Sequence, residues 1–179
     1  MKTHARALTL RVLTAIAIAV ASAFPLAASA KGVVVTLDRT ARVEPGTIII
    51  RMSQRQLYFV FDGVHAIRYP VATPKAGMEW SGIAHVSGTY LAPAWSPPEV
   101  VKRDHPELPD YIPGGAPDNP MGAAALTLDR DQIAIHGTTA KMRSSIGTSA
   151  SYGCIRMLNE DVADLYERVE VGALVIVKR

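Results

Sequence analysis

Cysteine is almost absent from the sequence: Cys154 is the only one among 179 residues. A single cysteine excludes a disulfide within the chain. Structural zinc needs four ligands at short paired spacings, which the Cys and His residues do not show, so we expect no metal and no cofactor. The thiol is then either a small buried apolar side chain or a nucleophile.

Long apolar runs are also scarce, and the one that exists lies near the N-terminus. Basic residues within the first eleven positions precede an Ala-rich apolar run over 12–24, and Ala28-Ser29-Ala30 has the form of a cleavage site. This pattern predicts a Sec-type signal peptide over residues 1–30. Since the run is shorter than the roughly 20 residues of a membrane helix, we expect a periplasmic or otherwise extracytoplasmic protein with no stable membrane anchor after cleavage.

A strong charge bias is missing too. The formal net charge is +3, from 19 basic and 16 acidic residues, and the predicted signal peptide contains three of the Lys and Arg residues but no acidic one. The remaining chain is therefore close to neutral. Without a basic surface, nucleic acid is not an expected partner.

The chain is rich in short runs of β-branched and aromatic residues. Such runs predict strands, and they fall at 33–35, 47–50, 57–61, 64–69, 82–90, 123–128, 132–135 and 173–177. Asp62-Gly63 predicts a two-residue hairpin between the third and fourth runs. The pattern indicates a mostly β chain that forms one domain after the signal peptide.

One helix is predicted in the C-terminal half. Asn159 is placed to cap it and Gly172 to end it. Between them, apolar residues follow the spacing of one buried helix face, at Val162, Leu165, Tyr166 and Val169.

Prolines concentrate in one segment. Eight of the twelve lie between Pro93 and Pro120. A loop of this length in a compact domain is often a lid or the wall of a binding site. A disordered excursion is the alternative.

His136 is the histidine best placed to act on the thiol. It ends the apolar run 132–135, and a segment rich in Gly, Ser, Thr and Ala separates it from Cys154. Such a segment can fold back and bring the imidazole to the sulfur, where it can accept the thiol proton. The pair predicts acyl transfer with a raised thiolate fraction, and an inert buried cysteine stays open.

Several ordered motifs surround these two residues. They are His136-Gly137-Thr138, Ile146-Gly147, Ser151, Gly153-Cys154-Ile155-Arg156-Met157 and Asn159, with Gln56-Leu57-Tyr58, residues 70–74, Trp95 and residues 119–122 upstream. Together they resemble the L,D-transpeptidase catalytic-domain family of the YkuD type. The resemblance covers roughly residues 46–179 and leaves 31–45 as an N-terminal extension.

The resemblance implies a mostly β fold, a β-sandwich with one helix in its C-terminal half and a long Pro-rich loop. It implies that Cys154 is the nucleophile and His136 the general base, with the backbone carbonyl of Gly137 orienting the imidazole. Backbone N–H groups of Tyr152, Gly153 and Cys154 are the candidates for an oxyanion site.

Three further residues are candidates for substrate contacts: Arg156, Ser151 and Trp95. Arg156 has the charge and planar fork that suit a carboxylate, and a structural ion pair is the alternative for it. Ser151 is expected to hold the loop by hydrogen bonding, and Trp95 is either a groove wall or core. Tyr152 departs from the many family members that have His before Gly-Cys, and we expect it to pack on the loop and alter the pocket rather than the mechanism.

The resemblance implies a peptidoglycan L,D-transpeptidase in cell wall biogenesis, with consequences for cell shape. Cys154 would attack the third, diamino-acid residue of a tetrapeptide stem and release D-alanine, and an amine of a second stem would resolve the thioester into a 3-3 cross-link. The partners are donor and acceptor stem peptides, with an envelope-protein amine as a further candidate acceptor, and carbapenems are expected to acylate Cys154. Hydrolysis by an L,D-carboxypeptidase or endopeptidase and a non-catalytic peptidoglycan-binding module stay open.

Overall fold

The computed structural model describes residues 32–38 and 43–179. The predicted signal peptide lies outside these residues. The strands are β1 (Val33–Thr36), β2 (Ile48–Arg51), β3 (Gln56–Val60), β4 (His65–Pro70), β5 (Thr73–Pro74), β6 (Gly82–Leu91), β7 (Ala124–Leu128), β8 (Ala134–His136), β9 (Ser149–Ser151), β10 (Ile155–Arg156) and β11 (Leu174–Lys178). The helices are α1 (Glu99–Asp104) and α2 (Asn159–Tyr166), with one 3-10 turn at Arg143–Ser145.

Nine strands are hydrogen-bonded in the order β1-β4-β3-β2-β11-β6-β7-β8-β10, and β5 pairs with β9. The long strand β6 pairs with β11 through its first four residues and with β7 from Val86 onward, with an irregular register between Val86 and Gly88. Such an irregularity bends a strand. Buried residues from both sides of this bend, such as Leu57 and Leu126, belong to one core cluster, as a β-sandwich requires.

The N-terminal segment takes part in the sheet. Strand β1 pairs antiparallel with β4, and Val35, Leu37 and Val43 pack against a second small cluster of Ile49, Val60 and Ala66. The segment predicted as an extension therefore adds an edge strand and covers one face of β2 and β3.

The turn between β3 and β4 is one residue longer than predicted. The amide of Phe61 donates to the carbonyl of His65 at 3.1 Å, which leaves three residues in the loop. The carboxylate of Asp62 accepts hydrogen bonds from the amides of Val64 (3.0 Å) and His65 (2.6 Å). These side-chain bonds to the backbone compete with the tighter turn, so the two-residue hairpin prediction was wrong.

Helix α2 keeps the predicted buried face but has different ends. Leu158 is the N-cap and Asn159 is the first helical residue, whose side chain does not cap the helix. The helix ends at Tyr166, and the amide of Arg168 then donates to the carbonyl of Leu165 at 3.1 Å in a tighter turn. Val169 stays buried beyond the helix end, and Gly172, with φ of 92°, lies in the turn before β11.

The Pro-rich segment 93–120 contains the unpredicted helix α1 and an isolated bridge between Trp95 and Ile112. Buried Asn119 closes its base. The Asn119 amide donates to the carbonyls of Pro93 (2.9 Å) and Pro113 (3.0 Å), and its oxygen accepts from the amide of Met121 at 2.9 Å. In the described part of the chain, neither helix has the length and apolar character of a membrane span.

Candidate active site

Strands β8 and β10 bring the predicted catalytic pair to one face. They pair in parallel, with Ile155 opposite Ile135 and Arg156 opposite His136. Residues opposite each other, and residues two apart on one strand, point to the same face. Cys154, directly before β10, therefore shares the face of His136 and Arg156, and all three line one cavity of about 440 Å³.

The Pro-rich segment forms much of the wall of this cavity. Its contribution is mainly apolar and includes Trp95, Pro98, Val101, Leu108 and Ile112. Trp95 is half-buried. The segment and Cys154 therefore line the same cavity.

Cys154 holds a protonated thiol in this structure. The side chain is half-buried, and its Sγ lies 3.5 Å from the carbonyl oxygen of Gln132, which can only accept a hydrogen bond. Burial raises the pKa of the Cys154 thiol and outweighs the opposing effects of the Ala134 backbone and the charge of Arg156. The expectation of a raised thiolate fraction is therefore wrong for the resting state.

His136 is buried and neutral at pH 7. Burial, followed by the positive charge of Arg156, lowers its pKa to about 4. Its Nδ1 lies 3.0 Å from the carbonyl oxygen of Pro120. Because a carbonyl only accepts, Nδ1 carries the hydrogen and Nε2 is the unprotonated nitrogen.

Pro120 is an orienting residue that was not expected, because its carbonyl accepts the hydrogen bond from Nδ1. Backbone hydrogen bonds of Gly137 and of Pro120 both oppose the lowering of the His136 pKa, so the orienting role of Gly137 stays a prediction. Gly137 also donates its own amide to the carbonyls of Met121 (2.9 Å) and Ala124 (3.0 Å).

The sulfur and the imidazole are not hydrogen-bonded to each other within the described residues. Each is bonded to a backbone carbonyl, Cys154 to Gln132 and His136 to Pro120. Transfer of the thiol proton to Nε2 therefore requires the thiol to give up its hydrogen bond to Gln132. Catalytic hydrogen bonds commonly tighten only when the substrate is bound.

Asn159 fixes the loop that follows His136. Its oxygen accepts from the amides of Ala123 (3.1 Å) and Thr138 (2.9 Å), and its nitrogen donates to the carbonyl of Thr138 at 2.9 Å. A Cβ at Gly122 or Gly137 would lie 2.2 Å from that oxygen. The two glycines therefore permit the close approach of Asn159, a role that the sequence did not reveal.

Hydrogen bonds also fix the loop that holds Cys154. The Ser151 hydroxyl donates to the carbonyl of Cys154 and accepts from the amide of Gly153 at 3.3 Å, and Trp80 Nε1 donates to the carbonyl of Gly153 at 2.9 Å. The Gly153 amide is thus engaged with Ser151, and its place in an oxyanion site stays a prediction. Within residues 43–179, the amides of Tyr152 and Cys154 donate no hydrogen bond. Trp80 was not a candidate from the sequence, where only the need of a buried indole N–H for a hydrogen-bond partner could have pointed to it.

Arg156 is a buried cation without a carboxylate partner. Its Nη1 donates to Ser145 Oγ at 2.8 Å, its Nε is buried without a hydrogen bond, and none of the ion pairs in the described part of the chain includes it. Burial lowers its pKa. A buried guanidinium without an ion pair is costly.

Tyr152 turns away from its own loop and reaches the Pro-rich segment. Its hydroxyl donates to Asp104 Oδ2 at 2.8 Å, and Lys75 Nζ lies 3.6 Å from the centre of its ring. It does not simply pack on the loop as expected. Neither Asp104 nor Lys75 was a candidate from the sequence, because their partners lie far away along the chain.

No three side chains of His, Cys, Asp or Glu in residues 32–38 and 43–179 come together as a possible metal site.

Comparison with known proteins agrees with this arrangement. The family described as YkuD, L,D-transpeptidase catalytic domain, matches residues 45–177. The chain belongs to this family.

Two curated relatives come from Escherichia coli (strain K12). The chain is 33% identical over 135 residues to the probable L,D-transpeptidase ErfK/SrfK, and 34% identical over 137 residues to the probable L,D-transpeptidase YbiS. Each match covers 72% of this chain but only 42% and 43% of the relatives, so the chain spans less than half of their length. Among solved structures, an L,D-transpeptidase from Mycobacterium smegmatis matches with a TM-score of 0.60 at 17% identity, covering 78% of this chain and 59% of that one. This likeness supports the fold.

Proposed function

We propose that the chain is a peptidoglycan L,D-transpeptidase that acts outside the cytoplasm. One observation carries the proposal: in a domain of this family, Cys154, His136 and the unpaired Arg156 line the same cavity. The location rests on the signal-like sequence of residues 1–30.

The first step is acylation of Cys154 by a tetrapeptide donor. The thiol proton passes to Nε2 of His136 while Sγ bonds to the carbonyl carbon of the third stem residue. The carbonyl oxygen becomes an oxyanion, the bond to the terminal D-alanine breaks, and the imidazolium returns its proton to the leaving amine. A neutral thiol beside a neutral imidazole suits this sequence, since the base is unprotonated before attack.

Two kinds of group in the cavity can stabilise the oxyanion and bind the substrate. The unengaged amides of Tyr152 and Cys154 are the candidate oxyanion donors, because a tetrahedral intermediate needs preorganised N–H groups. Arg156 is the candidate partner of a stem carboxylate, which would neutralise its buried charge.

The second step transfers the acyl group to an amine. The acceptor nitrogen attacks the thioester carbonyl, His136 takes the proton of that nitrogen, the bond to Sγ breaks, and the imidazolium returns the proton to the leaving sulfur. An amine of a second stem gives a 3-3 cross-link, an envelope-protein amine gives attachment to that protein, and water gives a trimmed stem.

The experiment is incubation of the protein with a disaccharide-tetrapeptide, followed by mass analysis of the products. We expect a cross-linked dimer with loss of D-alanine. A trimmed monomer would indicate a hydrolase in place of a transferase, and an unchanged substrate would indicate a binding module.

Variants assign the two catalytic roles. Cys154→Ala is expected to abolish all products, and His136→Gln to lower kcat/KM by about a hundredfold or more. His65→Gln is the matched control, since His65 is exposed and does not line the cavity. Turnover that survives Cys154→Ala in a folded protein would reject the assigned nucleophile.

A further inference from the structure

Tyr152 joins the loop of the nucleophile to helix α1. Its hydroxyl donates to Asp104 Oδ2 at 2.8 Å, and Lys75 Nζ approaches the same oxygen at 3.4 Å while it lies over the tyrosine ring. His105 meets the ring edge-on at a centroid distance of 6.3 Å. Three segments that are distant in sequence thus meet at one phenol group.

Helix α1 has little else to hold it. It has six residues, no buried side chain and no side-chain cap. A helix this short is marginal without tertiary contacts. Its other side-chain ion pairs stay within the Pro-rich segment, between Lys102 and Asp110 and between Arg103 and Asp104.

The Pro-rich segment is therefore fastened at two places. Buried Asn119 closes its base, and the contacts of Tyr152 and Lys75 with Asp104 hold its tip. Between these points, Val100 and Val101 of α1 line the cavity that contains Cys154. Because these residues form part of the wall, any outward movement of α1 would widen the cavity.

We propose that Tyr152 is a positioning residue that sets the width of the substrate cavity by holding helix α1 through Asp104. The Tyr152 side chain is hydrogen-bonded neither to Sγ of Cys154 nor to the imidazole of His136. It affects the cavity through the position of α1 in the cavity wall. The identity of the substrate that enters the cavity rests on the proposed function. The contact between Tyr152 and α1 does not depend on it.

The first test measures access to Cys154 without any substrate. The rates of alkylation by iodoacetamide and by a bulky polyethylene-glycol maleimide are compared in the wild type and in Tyr152→Phe. Loss of the hydroxyl is expected to raise the bulky-to-small rate ratio about five- to tenfold. Tyr58→Phe is the matched control, because its hydroxyl bonds only to exposed Gln54.

Hydrogen exchange measures the helix directly. The amides of Lys102 and His105 donate within α1, to the carbonyls of Pro98 (2.9 Å) and Val101 (2.8 Å). Tyr152→Phe and Asp104→Asn are each expected to speed their exchange about tenfold. Asp110→Asn, which removes the ion pair between Lys102 and Asp110 within the segment, is expected to leave both the exchange rates and the alkylation ratio unchanged.

A double variant and the kinetics complete the test. If the hydroxyl acts through Asp104, the Tyr152→Phe/Asp104→Asn protein should behave like either single variant, and fully additive effects would overturn the proposal. With the tetrapeptide donor, KM should rise about fivefold while kcat stays within about twofold. Unchanged exchange and alkylation in Tyr152→Phe would also overturn it, whereas absent turnover with the expected exchange and alkylation would count only against the proposed function.

Discussion

The charge states of two side chains decide how the cavity works. Cys154 and His136 were both predicted from their residue types and order. The histidine ends a predicted strand, and a flexible segment connects it to the single cysteine of the chain. Their protonation was not predictable, since it depends on burial and on the nearby charge of Arg156. The role of the Pro120 carbonyl was not predictable either, because every residue has a backbone carbonyl and the sequence does not show which one lies beside His136.

The lowered pKa of His136 predicts a dependence of stability on pH. The imidazole has a pKa of about 4 in the folded chain and an ordinary value of 6.5. Between these values the unfolded chain binds more protons, so stability increases as pH rises from 4 to 6.5. Relative to His136→Gln, the wild type should gain about 3 kcal/mol of unfolding free energy between pH 4 and pH 7.

Urea unfolding of both proteins across this range measures the difference. Buried Asp161, whose pKa is raised to about 7 by burial and by Glu160, contributes with the opposite sign. It is present in both proteins and cancels in the comparison. Parallel stability curves for the two proteins would show that His136 is not buried as described.

At the scale of elements, the sequence predicted the existence and buried face of α2 but not its cap. The partners of Asn159 lie in the segments around Ala123 and Thr138, which only the folded chain brings to the helix start. Helix α1 was missed because its six residues bury no side chain and show no apolar period. Local patterns identify elements that bury one face, and they miss those held by a few long-range polar contacts.

The hydrogen bonds of Asn159 predict a graded loss of stability. Asn159→Ala removes the acceptor of two amides and the donor to Thr138, so the free energy of unfolding should fall by about 2–4 kcal/mol. Asn159→Asp keeps the acceptor oxygen for both amides and should lose less than half as much. Thermal unfolding of the three proteins checks the order, and equal losses in the two variants would contradict the assigned bonds.

At the scale of the whole molecule, all eight predicted strand runs correspond to strands of the structure. The strands that were missed, β5, β9 and β10, have two or three residues each and no periodic pattern. The parallel pairing of β8 with β10 was also beyond the sequence, because register between distant segments depends on the complete fold. That pairing nevertheless brings the thiol, the imidazole and the guanidinium to one cavity.

The most direct test of the account is the pH dependence of acylation of Cys154 by a carbapenem, followed by intact mass. If His136 takes the proton of a neutral thiol, the rate should be nearly constant from about pH 5 to pH 8 and fall below about pH 4, and His136→Gln should lose this plateau. A rate that rises about tenfold per pH unit through neutrality, alike in both proteins, would mean that an unaided thiolate reacts. That result would contradict the pairing of Cys154 with His136.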